Sequence, residues 1–239
     1  MVSAVIKNWD NKNWLSSSQY ISSLNNFIIK TANLNSNSQI LDIGCGRGKI
    51  IGSLRSVLRL KHKPIGIDLV NHDDKDKRII FKKKDALSFL KLNKKKFDLI
   101  LIKQTIHLLK IDGVKALLKE TKKNLKPQGK ILIFSLHPHK NELPCFYLMK
   151  KKLRISLKRD LKIQKIIFNL YPRLDLKYFS FKVKISKKKY IQMISKKFIS
   201  ILLSLNNKQI LTGINEIDLK YKKNLKFYDK LVCIIIKNN

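Results

Sequence analysis

From Tyr20 to Ser135, short apolar runs take turns with amphipathic stretches. Tyr20, Ile21, Leu24, Phe27 and Ile28 recur at helical spacing behind Ser16 and Ser17, which suit the cap of a helix running to about Lys30. Ile40–Ile43 is a compact apolar run and predicts a strand, after which Ile50, Ile51, Leu54, Val57 and Leu58 give a second helix its apolar face. Residues 64–69 and 79–81 predict two more short strands. Residues 97–102 are almost continuously apolar, as expected of a central strand covered on both faces. A helix carrying Val114, Leu117 and Leu118 and a turn at Pro127-Gln128-Gly129 lead to a fifth strand over residues 130–135. Strands alternating with helices predict an α/β fold around a parallel, doubly wound sheet.

The second half is less regular. Residues 138–186 are rich in Lys, Leu and aromatics and too long for an ordinary connection, so they predict a helical cap inserted between strands 5 and 6, over the substrate. Residues 186–205 predict a helix with Tyr190, Met193, Ile194, Phe198, Ile201 and Leu202 on one face, and residues 211–219 and 227–236 predict the last two strands. The expected organisation is a core of residues 1–137 and 206–239, its first 35 residues forming a lid helix, with a cap of residues 138–205.

Composition narrows the picture. At 239 residues the chain can bury a sizeable core and is a full-sized enzyme domain. No apolar run approaches the roughly 20 residues of a membrane span. The first four residues begin no signal-peptide pattern, so no membrane partner and a cytoplasmic location are expected. Cys45, Cys145 and Cys233 lie far apart without a C-x-x-C pair, and His137, His139 and Cys145 lack the partners to complete a ligand set, so no metal is expected. The formal charge of +36 invites nucleic acid as a partner. Yet the excess is 45 Lys against 7 Arg, spread along the whole chain with abundant Ile and Asn, which reads as a solvated surface and a composition bias.

The densest chemistry lies between Ile40 and Ile51. Asp42 is followed by Gly44, Gly46 and Gly48, where the strand must turn sharply into a helix. Glycines there let the backbone take positive φ and approach a ligand, and the helix N-terminus beyond offers unpaired N–H groups. The spacing departs from the G-x-G-x-x-G dinucleotide fingerprint. Asp68 closes the second strand 20 residues after Gly48, the distance at which a βαβ unit delivers a carboxylate to ribose hydroxyls.

Asp42-x-Gly44-x-Gly46-x-Gly48, with Cys45 between the first two glycines, resembles the first motif of the class I, Rossmann-like S-adenosylmethionine-dependent methyltransferases, of small-molecule type. The resemblance implies a seven-stranded, mostly parallel sheet ending in an antiparallel hairpin. It implies S-adenosyl-L-methionine as cofactor, with S-adenosyl-L-homocysteine as product. Asp42, Gly44, Cys45, Gly46, Gly48, Asp68, Leu69 and Lys103 would then bind the cofactor, with Asp85 and Ala86 at its adenine; Asp85 equally suits an N-cap. Gln104 and His107 follow the fourth strand, at the carboxyl edge where such sheets bind ligands, and are the catalytic candidates. His107 also lines the pocket in this reading. Among the leading aromatics around the two tryptophans Trp9 and Trp14, Trp14 and Tyr20 are placed beside the acceptor.

The first expectation is an enzyme that methylates a small molecule, its cap lysines drawing in an anionic acceptor. An RNA or protein methyltransferase docking through the basic surface, and a non-catalytic S-adenosylmethionine-binding regulator, are the alternatives.

Overall fold

The structure, a computed structural model of the chain, describes residues 13–238. Strands β1 (Ile40–Ile43), β2 (Ile65–Asp68), β3 (Ile80–Lys83), β4 (Phe97–Lys103), β5 (Leu125–Leu136), β6 (Asp175–Ser186) and β7 (Asn224–Lys237) form one sheet in the order β3-β2-β1-β4-β5-β7-β6. The first five run parallel, and β7 is antiparallel to both of its neighbours. This is the expected seven-stranded doubly wound sheet with an antiparallel C-terminal pair.

Its central strands are mostly apolar because both faces are covered, with Asp42 and Lys103 toward their carboxyl ends. Ile40, Leu99, Leu101 and Leu132 face α1 (Ser18–Ala32) and α2 (Lys49–Leu58), where they meet Tyr20, Leu24, Ile28, Ile51 and Leu54. On the opposite face Leu41, Ile43, Ile100, Ile102, Ile131 and Ile133 meet Phe89 and Leu90 of α3 (Ala86–Leu92), Val114, Leu117 and Leu118 of α4 (Ile111–Lys123), and Ile163 and Ile167 of α5 (Tyr147–Leu170). Period-2 side-chain alternation within each strand thus feeds two separate cores. A third core lies beyond the sheet edge. There Met149, Leu153 and Leu157 of α5 pack with Tyr190, Met193 and Ile194 of α6 (Lys187–Ser195), Ile210 and Ile217 of α7 (Asn207–Lys220), and Leu225 and Phe227 of β7.

The structure corrects several expectations in this half of the chain. Residues 211–219 belong to helix α7, not to a strand: Ile210, Ile214 and Ile217 follow helical spacing, and Asn206 and Gln209 form a reciprocal capping box. The sixth strand is β6, inside the region expected to be cap. Phe179, Phe181, Val183 and Ile185 alternate there with Lys182 and Lys184, a period-2 signal hidden by the surrounding lysines. The cap helices are accordingly divided, with α5 between β5 and β6, and α6 and α7 between β6 and β7. The expected helix over 186–205 stops at Ser195; a short 3-10 turn, Ser200–Leu202, follows. Helix α1 packs on the sheet through Tyr20, Leu24 and Ile28, and Trp14 of the 3-10 turn before it, Trp14–Ser16, packs against the third core. Trp9 lies outside the described residues. Among the described residues no helix is long and apolar enough to cross a membrane.

Candidate active site

The strand order reverses between β1 and β4, so their carboxyl ends frame the crevice in which open α/β sheets bind ligands. The glycine turn fills one side of it. Gly44, Gly46 and Gly48 all have positive φ, at 71°, 52° and 70°. The Gly44 and Cys45 N–H groups both donate to the Ile67 carbonyl, at 2.8 and 3.1 Å, tying the turn to β2. The glycines differ in what surrounds them. A Cβ on Gly44 would fall 2.2 Å from Thr105 Oγ1, whereas one on Gly46 would meet nothing within 4 Å. Gly44 is therefore required for packing against the loop after β4, and Gly46 looks onto open space above the turn.

Asp68 is held by that turn. Its Oδ2 accepts the Gly46 N–H at 2.8 Å and its Oδ1 accepts the Val70 N–H at 2.9 Å. A carboxylate has about four acceptor positions, so two remain for further donors. Leu69, next to it, is 62 % exposed and offers a bare apolar surface at the end of β2. Asp85 caps α3 by accepting the Ser88 N–H at 2.9 Å, and Ala86 opens that helix. The open cradle at Gly46 and the two remaining acceptor positions of Asp68 fit a nucleoside carrying a free ribose. Cys45 turns away from this cradle. Its thiol lies where a Cβ on Gly66 would come within 2.7 Å, and burial, with Asp42 and Asp68 nearby, holds the thiol in its protonated form.

Below the cradle lies a buried electrostatic cluster. Asp42, only 2 % exposed on the central strand, is pushed up to about 7 by burial; Lys103 opposes the shift and Asp68 adds to it. Lys103 closes β4, lies 5.6 Å from the Tyr20 ring centroid and donates to Gln104 Oε1 at 3.1 Å. Asp229 on β7 is also buried and raised by burial, with Trp14 and Lys103 acting against the shift. Trp14 Nε1 donates to Asp229 Oδ2 at 3.0 Å.

The other side of the crevice is a cavity of about 120 Å³ under the cap. Gln104 and His107 form its floor, Asp229 and Lys230 of β7 one wall, Leu153, Ser156 and Asp160 of α5 another, and Trp14 with residues 198–201 its roof. Trp14 packs edge-on to Phe198 and Phe227, each at 5.3 Å between ring centroids. Gln104 holds a left-handed backbone, φ 52°, fixed by its N–H donating to the Phe134 carbonyl. For a residue with a Cβ such a conformation is strained and marks a site that over-determines it. His107, on the 3-10 turn Ile106–Leu108, is driven down to about 4 by burial and by Arg159, so its imidazole is neutral at physiological pH.

Trp14, Gln104 and His107 thus share one cavity. Tyr20 does not join them: it is fully buried, its ring edge-on to Phe179 and Phe181, because its place on α1 turns it into the sheet behind Asp229. His137 accepts the backbone N–H groups of His139 and Lys140 on Nδ1 and stacks on Tyr178, which ties up the loop nitrogen. Sequence reasoning missed Asp160 and Asp229. The signal was present: Asp160 is the one acid in the α5 sequence and falls on its apolar stripe, and Asp229 takes an inward position between Phe227 and Leu231.

Comparison with known proteins agrees with this geometry. A methyltransferase domain family matches residues 34–198. No curated protein matches the chain by sequence. Among solved structures, YcgJ from Bacillus subtilis is similar over 91 % of this chain and 98 % of its own, with 18 % identity and a TM-score of 0.57. YjhP from E. coli is similar over 96 % and 97 %, with 13 % identity and a TM-score of 0.56. The plantazolicin methyltransferase BamL, solved with a triazolic desmethylPZN analogue and SAH, is similar over 97 % and 89 %, with 18 % identity and a TM-score of 0.55. The family match spans the glycine turn, Asp68 and the loop bearing Gln104 and His107, and the chain belongs to the methyltransferase domain family as an S-adenosylmethionine-dependent enzyme.

Proposed function

We propose that this methyltransferase acts on a small, largely apolar molecule held in the cavity beneath the cap. The carrying observation is the cavity itself. Its volume of about 120 Å³ is close to the roughly 150 Å³ of an engineered protein cavity that accepts benzene, and its walls are mostly Leu, Ile, Phe and Trp. A mostly apolar pocket of this size suits one ring-sized group.

Bound S-adenosylmethionine supplies a sulfonium methyl, which moves to an acceptor lone pair while the sulfur–carbon electron pair returns to sulfur. The chain's own task is positioning, since alignment of two reactants supplies most of what such a displacement needs. Asp68 takes the ribose hydroxyls on its two remaining acceptor positions, and Leu69 supports the adenine. Asp85 and the Ala86 N–H in the first turn of α3 face the adenine edge. The Asp42–Lys103 pair underlies the donor. Gln104 and the neutral His107 orient the acceptor, His107 by taking a hydrogen bond from its N–H or O–H. The apolar roof excludes water.

Two measurements test this reading. Titration with S-adenosylhomocysteine should show Asp68→Ala weakening binding by tenfold or more, about 1.4 kcal/mol; equal affinity removes the ribose assignment. In a cell extract supplied with methyl-labelled S-adenosylmethionine, label should accumulate in the low-molecular-mass fraction, and label in RNA or protein refutes the small-molecule acceptor.

A further inference from the structure

Asp160 has no task in the fold. It is 5 % exposed, lines the cavity from α5, and its Oδ1 is buried without a hydrogen-bond partner. Arg159, the cation that acts on it, spends an N–H on the Leu109 carbonyl at 2.8 Å. A carboxylate taken out of water costs stability unless it is paired, so an unpartnered one in a ligand cavity awaits a donor from the ligand. The rest of the wall points to the same complement. Lys230 is the one lysine of the lining and is ion-paired with Glu142, while Asp229 adds a second buried carboxylate. Trp14, Phe198 and Phe227 place aromatic rings around the space, and aromatic faces attract cations. The cap's many lysines are absent from the lining, which removes the basis for an anionic acceptor.

We propose that Asp160 is the specificity-determining residue of the acceptor cavity and that the acceptor is an apolar amine, which presents an N–H group to its carboxylate. The inference rests on the reading of this cavity as the acceptor site. An amine answers both the unpaired acceptor and the aromatic roof: bound as the ammonium it donates an N–H to Asp160, and loss of one proton to that carboxylate frees the nitrogen lone pair that takes the methyl group, whereas a carboxylate or phosphate of the same shape meets two buried acids.

The test uses the full chain saturated with S-adenosylhomocysteine and three ring-sized probes: benzylamine, benzyl alcohol and phenylacetate. Calorimetry should show benzylamine binding at least tenfold tighter than the other two. Asp160→Asn should bring benzylamine down to the level of benzyl alcohol while leaving S-adenosylhomocysteine affinity unchanged, which also reports a folded variant. Ser156→Phe, on the same wall, should weaken all three by filling the space. Equal binding of phenylacetate, or a benzylamine preference that survives in Asp160→Asn, overturns the amine assignment. If benzylamine and benzyl alcohol bind equally and Ser156→Phe blocks both, the cavity remains the acceptor site and only the amine assignment falls. If no probe binds, both fall.

Discussion

Three glycines one residue apart do different things. Gly44→Ala places a methyl group inside the Thr105 side chain and forces an alanine to φ 71°. Adopting that region costs about 1–2 kcal/mol before the clash is counted, so the variant should lose about 2–4 kcal/mol in denaturant unfolding. Gly46→Ala has the same backbone strain but no clash, and its Cβ enters the space above the turn. Its unfolding midpoint should shift by only about 1–2 kcal/mol, while S-adenosylhomocysteine affinity falls at least tenfold; an unchanged affinity would move the ligand away from this turn. The glycines, Asp42 and Asp68 were legible in sequence because each breaks a local rule at a fixed distance from the others. Asp160 and Asp229 were legible only as misfits in apolar patterns. What they face depends on how distant elements pack, and no local pattern carries that.

Helix α5 shows the same division at a larger scale. Its first half packs in the cap core with Met149, Leu153 and Leu157, its second half packs on the sheet with Ile163 and Ile167, and Asp160 falls at the joint. Burial pushes the Asp160 carboxyl from 3.8 up to about 6, with Arg159 acting against it. The native state therefore holds a proton that the unfolded chain has released between these values. Stability contributed by this group is full below about pH 4 and lost as pH rises to about 6. Asp160→Asn has no such loss. It should unfold about 1–3 kcal/mol later than the parent at pH 7, with the gap closing toward pH 4, as followed by denaturant titration at several pH values. The central parallel strands were readable because burial on both faces leaves nearly continuous apolar runs, and α1, α2 and α4 because an apolar stripe recurs at helical spacing. Edge strand β6, half exposed and studded with lysines, read as cap, and α7 read as a strand because its Gly213 interrupts the helical pattern. That glycine is there for room: a Cβ would meet the Phe146 ring at 2.5 Å.

Across the whole molecule the charge is decisive for stability and silent about the site. A net +36 repels itself in the compact state, and added salt screens that repulsion. Raising sodium chloride from about 20 to about 300 mM shortens the Debye length from roughly 20 to roughly 6 Å. The unfolding temperature should rise by about 2–4 °C, equivalent to about 1 kcal/mol; a fall would mean that ion pairs outweigh the excess of lysine. None of that excess reaches the cavity, where acids outnumber the single paired lysine. The cavity wall drawn from α5 has a practical meaning for redesign. Leu153, Ser156 and Asp160 form one stripe on a helix of about 36 Å that contains neither proline nor glycine and is anchored in the sheet at its far end. Under the acceptor assignment proposed above, a library confined to those three positions exchanges one methyl acceptor for another while leaving the glycine turn, on the opposite side of the crevice, untouched.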